Sequence, residues 1–253
     1  MTNKLKYFIG NWKMFGNLAS LKNISQIHRF INANKKIKKS SKIILCVPNT
    51  LIYFYTNSMR LKSISIGGQN FNKNENHGPF TGSINASMLK DVGANYVILG
   101  HSENRFEGES NKVIKKKIES ALKQNLKVIF CIGESLKEKS KKKTLSVIKK
   151  QIKESLSKTF NLNNIIIAYE PVWSIGSGKI PKEKDLRKTF KYIKKEFKKI
   201  FKKKYDPVVL YGGSVNTSNI SNFSSISEIN GFLIGGASQS AKKFIDIIKN
   251  YYK

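Results

Sequence analysis

The feature that most constrains this chain is a recurrence. Eight short runs rich in β-branched and aromatic residues punctuate it: YFIGN (7–11), KIILCV (42–47), SISIGGQ (63–69), NYVILG (95–100), KVIFCIG (127–133), NIIIAYE (164–170), PVVLYGG (207–213) and GFLIGG (231–236). They are apolar nearly throughout rather than strictly alternating, which suits strands covered on both faces. The segments between them carry helical spacing. Leu145, Ile148, Ile152 and Leu156 share one face, as do Leu186, Phe190, Ile193, Phe197 and Ile200. Eight parallel strands alternating with helices over this length predict an α/β fold, a (β/α)8 barrel forming one domain over residues 1–253. An open doubly wound sheet fits the same alternation and is the competing arrangement.

Composition limits what such a barrel does. Forty per cent of the 253 residues are hydrophobic (40%), enough for a large core. No apolar run approaches the ~20 residues of a membrane helix. The N-terminal MTNKLKYF passes from polar residues straight into the first strand, without the apolar stretch of a secretory signal. Cys46 and Cys131 each sit inside an apolar run, as reduced core residues do, rather than in a disulfide framework or metal clamp. A soluble, cytoplasmic protein is expected. Lys and Arg number 47 against 16 Asp and Glu, a formal net charge of +31. A surplus of that sign raises nucleic acid as a partner. The lysines, however, are strung along helical segments (KVIKKKIES, KKTLSVIKKQIKES, FKYIKKEFKKIFKKK), with no aromatic residues interleaved at a base-stacking spacing. They read as solvated faces. No nucleic-acid or membrane partner is expected, though the surplus should attract anionic ligands, less so in salt.

A barrel of this type places its active site at the C-terminal ends of its strands. There the first strand ends in Asn11, followed by Trp12 and Lys13; the third ends in Gln69-Asn70; the fourth leads to His101-Ser102-Glu103; the sixth carries Glu170. Any one of these is an ordinary polar residue meeting water, but together they gather titratable groups at one end. The last two strands end in YGGSV (211–215) and IGGAS (234–238), each leading towards a helix. Glycine lets a backbone approach a ligand closely, and its N–H groups then face an anion. Phosphate sites in these barrels are built from the loops after strands seven and eight. The pattern points to a small phosphorylated molecule. With no metal-ligand cluster and no dinucleotide fingerprint after the first strand, no metal and no cofactor is expected.

GNWKM (10–14), GHSENR (100–105), AYEPVWSIGSGK (168–179), YGGSV (211–215) and GFLIGGAS (231–238) resemble the signature stretches of the triosephosphate isomerase family, in that family's order and across the whole chain. The resemblance implies an isomerase of glycolysis and gluconeogenesis that interconverts dihydroxyacetone phosphate and D-glyceraldehyde 3-phosphate. It assigns Glu170 as the base, His101 as a neutral electrophile and Lys13 as fixed positive charge. Asn11 would bind substrate, and Gly176, Ser214, Gly235 and Gly236 would hold the phosphate. Glu103 resembles the carboxylate that pairs with the lysine. Residues 171–181 would form a lid, with hinges at 171–173 and 179–181 and its tip at 174–178. NFNKNENHGPFTGSINASML (70–89) resembles a loop that inserts into a neighbouring subunit, with Thr81 near its tip. That implies a homodimer through the 70–85 loop, buttressing Asn11 and Lys13 of the partner. The sequence departs from the family pattern at Asn104, where Arg is common, and at Ser174 and Ser177, where Ala and Thr are frequent. Ile180-Pro181 makes a stiffer second hinge. Two other classes stay open: a Schiff-base aldolase using Lys13, which needs a desolvated amine, and a non-catalytic polyanion binder.

Overall fold

In a computed structural model, which describes residues 5–58, 61 and 63–253, all eight runs are strands. They are β1 (Lys6–Asn11), β2 (Ser41–Cys46), β3 (Ile64–Gly68), β4 (Tyr96–Leu99), β5 (Lys127–Ile132), β6 (Ile165–Tyr169), β7 (Val208–Tyr211) and β8 (Gly231–Ile234). The first four residues of the N-terminal stretch lie outside the described residues. Each strand pairs in parallel with the next, and β1 pairs with β8 through Tyr7↔Gly231 to Gly10↔Ile234. That last pairing closes the sheet into a barrel and rules out the open doubly wound arrangement.

The period of two along each strand sorts side chains into two cores. On β2, Ile44 and Cys46 point into the barrel, where they meet Ile9, Ile98, Ile129 and Cys131. Ile43 and Leu45 point outward, into the layer between barrel and helices. Because both faces are buried, the strands lack the polar alternation of a half-exposed sheet.

Helices α1 (Leu21–Ala33), α2 (Lys35–Ser40), α3 (Asn49–Ser58), α4 (Ala86–Asp91), α5 (Ser102–Phe106), α6 (Asn111–Lys123), α7 (Leu136–Ser140), α8 (Thr144–Ser155), α9 (Glu183–Phe201) and α10 (Ala241–Tyr251) cover the outside. The spacing read from sequence is the buried stripe. Leu186, Phe190, Ile193 and Phe197 of α9 are buried, with Ile200 packed at the edge. Each such apolar side chain contributes roughly 2–3 kcal/mol on leaving water. Glu183 and Asp185 open α9, and Lys198 and Lys199 close it, so its charges complement the helix dipole.

The alternation fails once. Among the described residues between β7 and β8 there is no α-helix, only a 3-10 turn at Ile220–Phe223. The segment is rich in Asn and Ser, whose side chains compete for backbone groups. Asn216 Oδ1 accepts the N–H groups of Ser218 and Asn219 at 2.9 and 3.0 Å, and Asn219 Oδ1 accepts that of Asn216 at 2.9 Å. Ile220, Phe223 and Ile226, all buried, fill the place a helix would take.

Candidate active site

The C-terminal strand ends converge on one rim, and Glu170 stands just past β6. Its N–H donates to the carbonyl of Ile132 at 2.7 Å. Two glycines make its position possible. A Cβ on Gly133 would lie 1.7 Å from the Glu170 carbonyl oxygen, and one on Gly212 would lie 2.7 Å from Glu170 Cγ. The carboxylate is thereby pulled inside the mouth, where Glu170 is 3% exposed. Burial raises its pKa above the ordinary carboxylate value; His101, a hydrogen bond from Cys131 and the charge of Lys13 oppose that shift. The thiol of Cys131 is itself pushed well up by burial, so it stays an S–H donor.

His101 follows β4 and caps α5. Its Nδ1 accepts the N–H of Glu103 at 3.3 Å. A ring nitrogen that accepts carries no proton, so the neutral ring holds its proton on Nε2. That atom lies 3.4 Å from Glu170 Oε1. Lys13, two residues past β1, adopts a left-handed backbone with φ +56°. Such a φ costs a non-glycine residue about 1 kcal/mol. Its N–H donates to Asn11 Oδ1 at 3.1 Å, which ties that turn to the strand end. Its Nζ pairs with Glu103 Oε1 at 2.5 Å. Glu103 therefore positions two groups, the lysine through its carboxylate and the imidazole through its N–H.

Gly176, Ser214, Gly235 and Gly236 form the facing wall. They line one cavity of about 260 Å³ together with Asn11, Lys13, His101 and Glu170, so the eight residues to which the resemblance assigns catalysis and substrate binding meet there. A Cβ on Gly236 would touch no protein atom. Glycine at that position keeps the backbone open towards the cavity rather than relieving a clash. Gln69 and Asn70 point elsewhere: Gln69 donates to the Cys46 carbonyl at 2.8 Å and Asn70 to Glu109 at 2.8 Å.

The segment expected to form the lid begins as a 3-10 turn, Val172–Ser174, and turns at Gly176 and Gly178 with φ of +67° and +74°. Its hinge is held from behind by Glu134, which the sequence reading missed. Glu134 is 1% exposed and accepts from Trp173 Nε1 at 2.9 Å and from the Tyr169 hydroxyl at 3.1 Å. Burial raises its pKa, and those donors oppose the shift. The signal was present: CIGES puts a carboxylate just after a strand, as AYEP does. A second hollow of about 270 Å³ lies behind the hinge, lined by Glu134, Trp173 and Lys188 among others. It includes neither Glu170 nor His101.

A buried carboxylate, a neutral N–H donor and an ammonium on one wall face glycine loops on the other. That is the layout of a (β/α)8-barrel enzyme using acid–base chemistry on a small anionic substrate. The family model described as Triosephosphate isomerase matches residues 6–251. Relatives named triosephosphate isomerase include one from Dictyoglomus thermophilum, 39% identical over 97% of this chain and 99% of that protein. Another, from Bartonella bacilliformis, is 38% identical over 100% of both chains. A crystal structure of triosephosphate isomerase from Bartonella henselae superposes with a TM-score of 0.88 at 36% identity, over 98% of this chain and 99% of the other. The chain belongs to the triosephosphate isomerase family.

Proposed function

We propose that this cavity carries out the reaction of the family, the interconversion of dihydroxyacetone phosphate and D-glyceraldehyde 3-phosphate in glycolysis and gluconeogenesis, by proton transfer through an enediolate. Glu170 takes the proton from the carbon beside the carbonyl, and the C–H electron pair becomes the carbon–carbon double bond. The carbonyl π pair passes to its oxygen, which takes up a proton; returning the carbon-bound proton to the former carbonyl carbon while the neighbouring hydroxyl gives up its own proton completes the isomerisation without net oxidation. A carboxylate in water is too weak a base for this step; the buried one binds a proton more tightly. His101 donates its Nε2 proton to the substrate oxygens while they carry negative charge, and Lys13 stabilises that charge. Asn11 orients the substrate. On closure the Gly176 N–H meets the phosphate, beside Ser214, Gly235 and Gly236, which line the same cavity. Lid closure excludes water, which guards an intermediate able to expel phosphate.

The observation that carries this reading is the 3.4 Å approach of Glu170 and His101 inside the cavity whose far wall is glycine. An aldolase using an amine needs a desolvated, unpaired Lys. Lys13 is paired with Glu103 and its side chain is 31% exposed, which favours the isomerase. The chain is further read as one barrel domain over 1–253 and as a homodimer through the 70–85 loop. Exposed Met14, Phe80 and Phe106 support the dimer, since large exposed apolar side chains favour burial between subunits. Free, buried Cys46 and Cys131 support a reducing, cytoplasmic setting. Among the described residues no helix is long and apolar enough to cross a membrane.

The test is an assay of the purified chain on D-glyceraldehyde 3-phosphate without added metal or cofactor, coupled to reduction of the dihydroxyacetone phosphate formed. Turnover that is lost in Glu170→Gln supports the assignment. Undiminished turnover in that variant overturns it.

A further inference from the structure

Ser174 occupies a lid position where the family often has Ala, and its hydroxyl is fully engaged. The residue is completely buried and directly follows the first hinge, at the end of the 3-10 turn. Its Oγ lies 2.6 Å from the carbonyl of Lys179, which opens the second hinge. A carbonyl only accepts, so the single hydroxyl proton goes there. The other two neighbours must then donate. They are the Tyr211 hydroxyl at 3.1 Å and the Ser214 N–H at 3.4 Å. Tyr211 is fully buried, and burial pushes its phenol up to about 12, so it holds its proton through the neutral range. One oxygen therefore joins both lid hinges to the end of β7 and to the loop that carries Ser214. Gly213 permits the junction: a Cβ there would lie 2.2 Å from the Tyr211 hydroxyl and 2.7 Å from Ser174 Oγ.

We infer that Ser174 is a positioning residue for the isomerisation, a latch whose hydroxyl sets the lid over the phosphate loops when the phosphate is held. This rests on the reading of the cavity given above. Removing the hydroxyl leaves the buried Tyr211 hydroxyl without this partner and cuts the tie to the Lys179 carbonyl. The lid is then freed from the β7 loop, while Glu170 and His101 are untouched. The cost falls on substrates that use the phosphate wall.

The experiment compares Ser174→Ala, Ser174→Thr, Tyr211→Phe and the Ser174→Ala/Tyr211→Phe double variant. Three readouts are taken: kcat/KM on D-glyceraldehyde 3-phosphate, kcat/KM on unphosphorylated D-glyceraldehyde, and half-saturation by inorganic phosphate followed by Trp173 emission. Ser174→Ala is expected to lose about fivefold to tenfold on the phosphorylated substrate, the worth of one hydrogen bond. Its phosphate half-saturation should rise by a similar factor, with little change on glyceraldehyde. The double variant should lose less than the product of the single losses, because both remove one shared bond. Ser174→Thr, which keeps the hydroxyl, should recover most of the loss. Equal losses on both substrates, or an unchanged phosphate titration in Ser174→Ala, would overturn the latch. A wild-type chain inactive on the triose phosphate would sink the reading of the cavity instead, and the phosphate titration would still decide the latch.

Discussion

Shortening Glu170 by one methylene tests the base assignment through geometry alone. Glu170→Asp keeps the charge and withdraws the carboxylate by about one carbon–carbon bond, roughly 1.5 Å. The backbone cannot advance to compensate. The Glu170 carbonyl lies so close to Gly133 that a Cβ built there would meet it at 1.7 Å, and Gly212 packs along the side chain, where a Cβ would meet Cγ at 2.7 Å. The separation from His101 Nε2, now 3.4 Å, would therefore grow out of the range in which two groups act on adjacent atoms of one substrate. A misplacement of about 1 Å at a reacting centre costs ~10²-fold, so kcat should fall by about 10²-fold or more. The phosphate wall is separate from this carboxylate, so KM should stay within about threefold. Initial rates in the coupled assay measure both, and a thermal melt checks the fold. A kcat within tenfold of wild type, or a loss confined to KM, would refute the assignment.

Glu170→Gln separates activity from stability. Burial raises the folded pKa of Glu170. As pH rises above the ordinary Glu value of about 4.3, the unfolded chain releases this proton while the folded chain still holds it. The folded state then binds more protons, and stability falls through that window until the folded pKa is passed. Gln carries no such burden, so its Tm should gain on wild type between pH 4 and neutrality; a gap independent of pH would contradict this. Gly212→Ala should cut kcat by about tenfold or more while the circular dichroism spectrum is kept, because its new methyl meets the movable end of Glu170; normal turnover would contradict it. Gly133→Ala instead meets a backbone carbonyl and should fail to fold stably; a wild-type Tm would contradict it. Phe106→Glu should shift sedimentation from dimer towards monomer, and an unchanged dimer would count against a role for that exposed ring.

The barrel was legible because both faces of its strands are buried. Runs such as KIILCV and NIIIAYE cannot be confused with half-exposed strands, and residues 186–200 carry an unbroken stripe. The segment after β7 was not legible as a helix-free crossing. Its Ile220, Phe223 and Ile226 keep a roughly helical spacing, and only the side-chain bonds of Asn216 and Asn219 disclose the alternative. At the site, polar residues at the tips of apolar runs drew attention to Asn11, Lys13, His101 and Glu170, but equally to Gln69 and Asn70, and the family resemblance supplied the roles. The glycines that admit Glu170 were less conspicuous. Gly133 and Gly212 act on a residue more than thirty positions away, a relation that exists only once β5, β6 and β7 lie side by side. Cys131 looked like plain core for the same reason, yet its thiol reaches the base.

The central claim is that a proton moves between substrate carbon and the Glu170 carboxylate. The direct measurement is a proton NMR time course of dihydroxyacetone phosphate with the purified chain in D2O. Deuterium bonded to carbon in the isomerised product, lost with turnover in Glu170→Gln, is the expected result. Isomerisation with no deuterium entering any carbon position, or equal incorporation by the Gln variant, would contradict it.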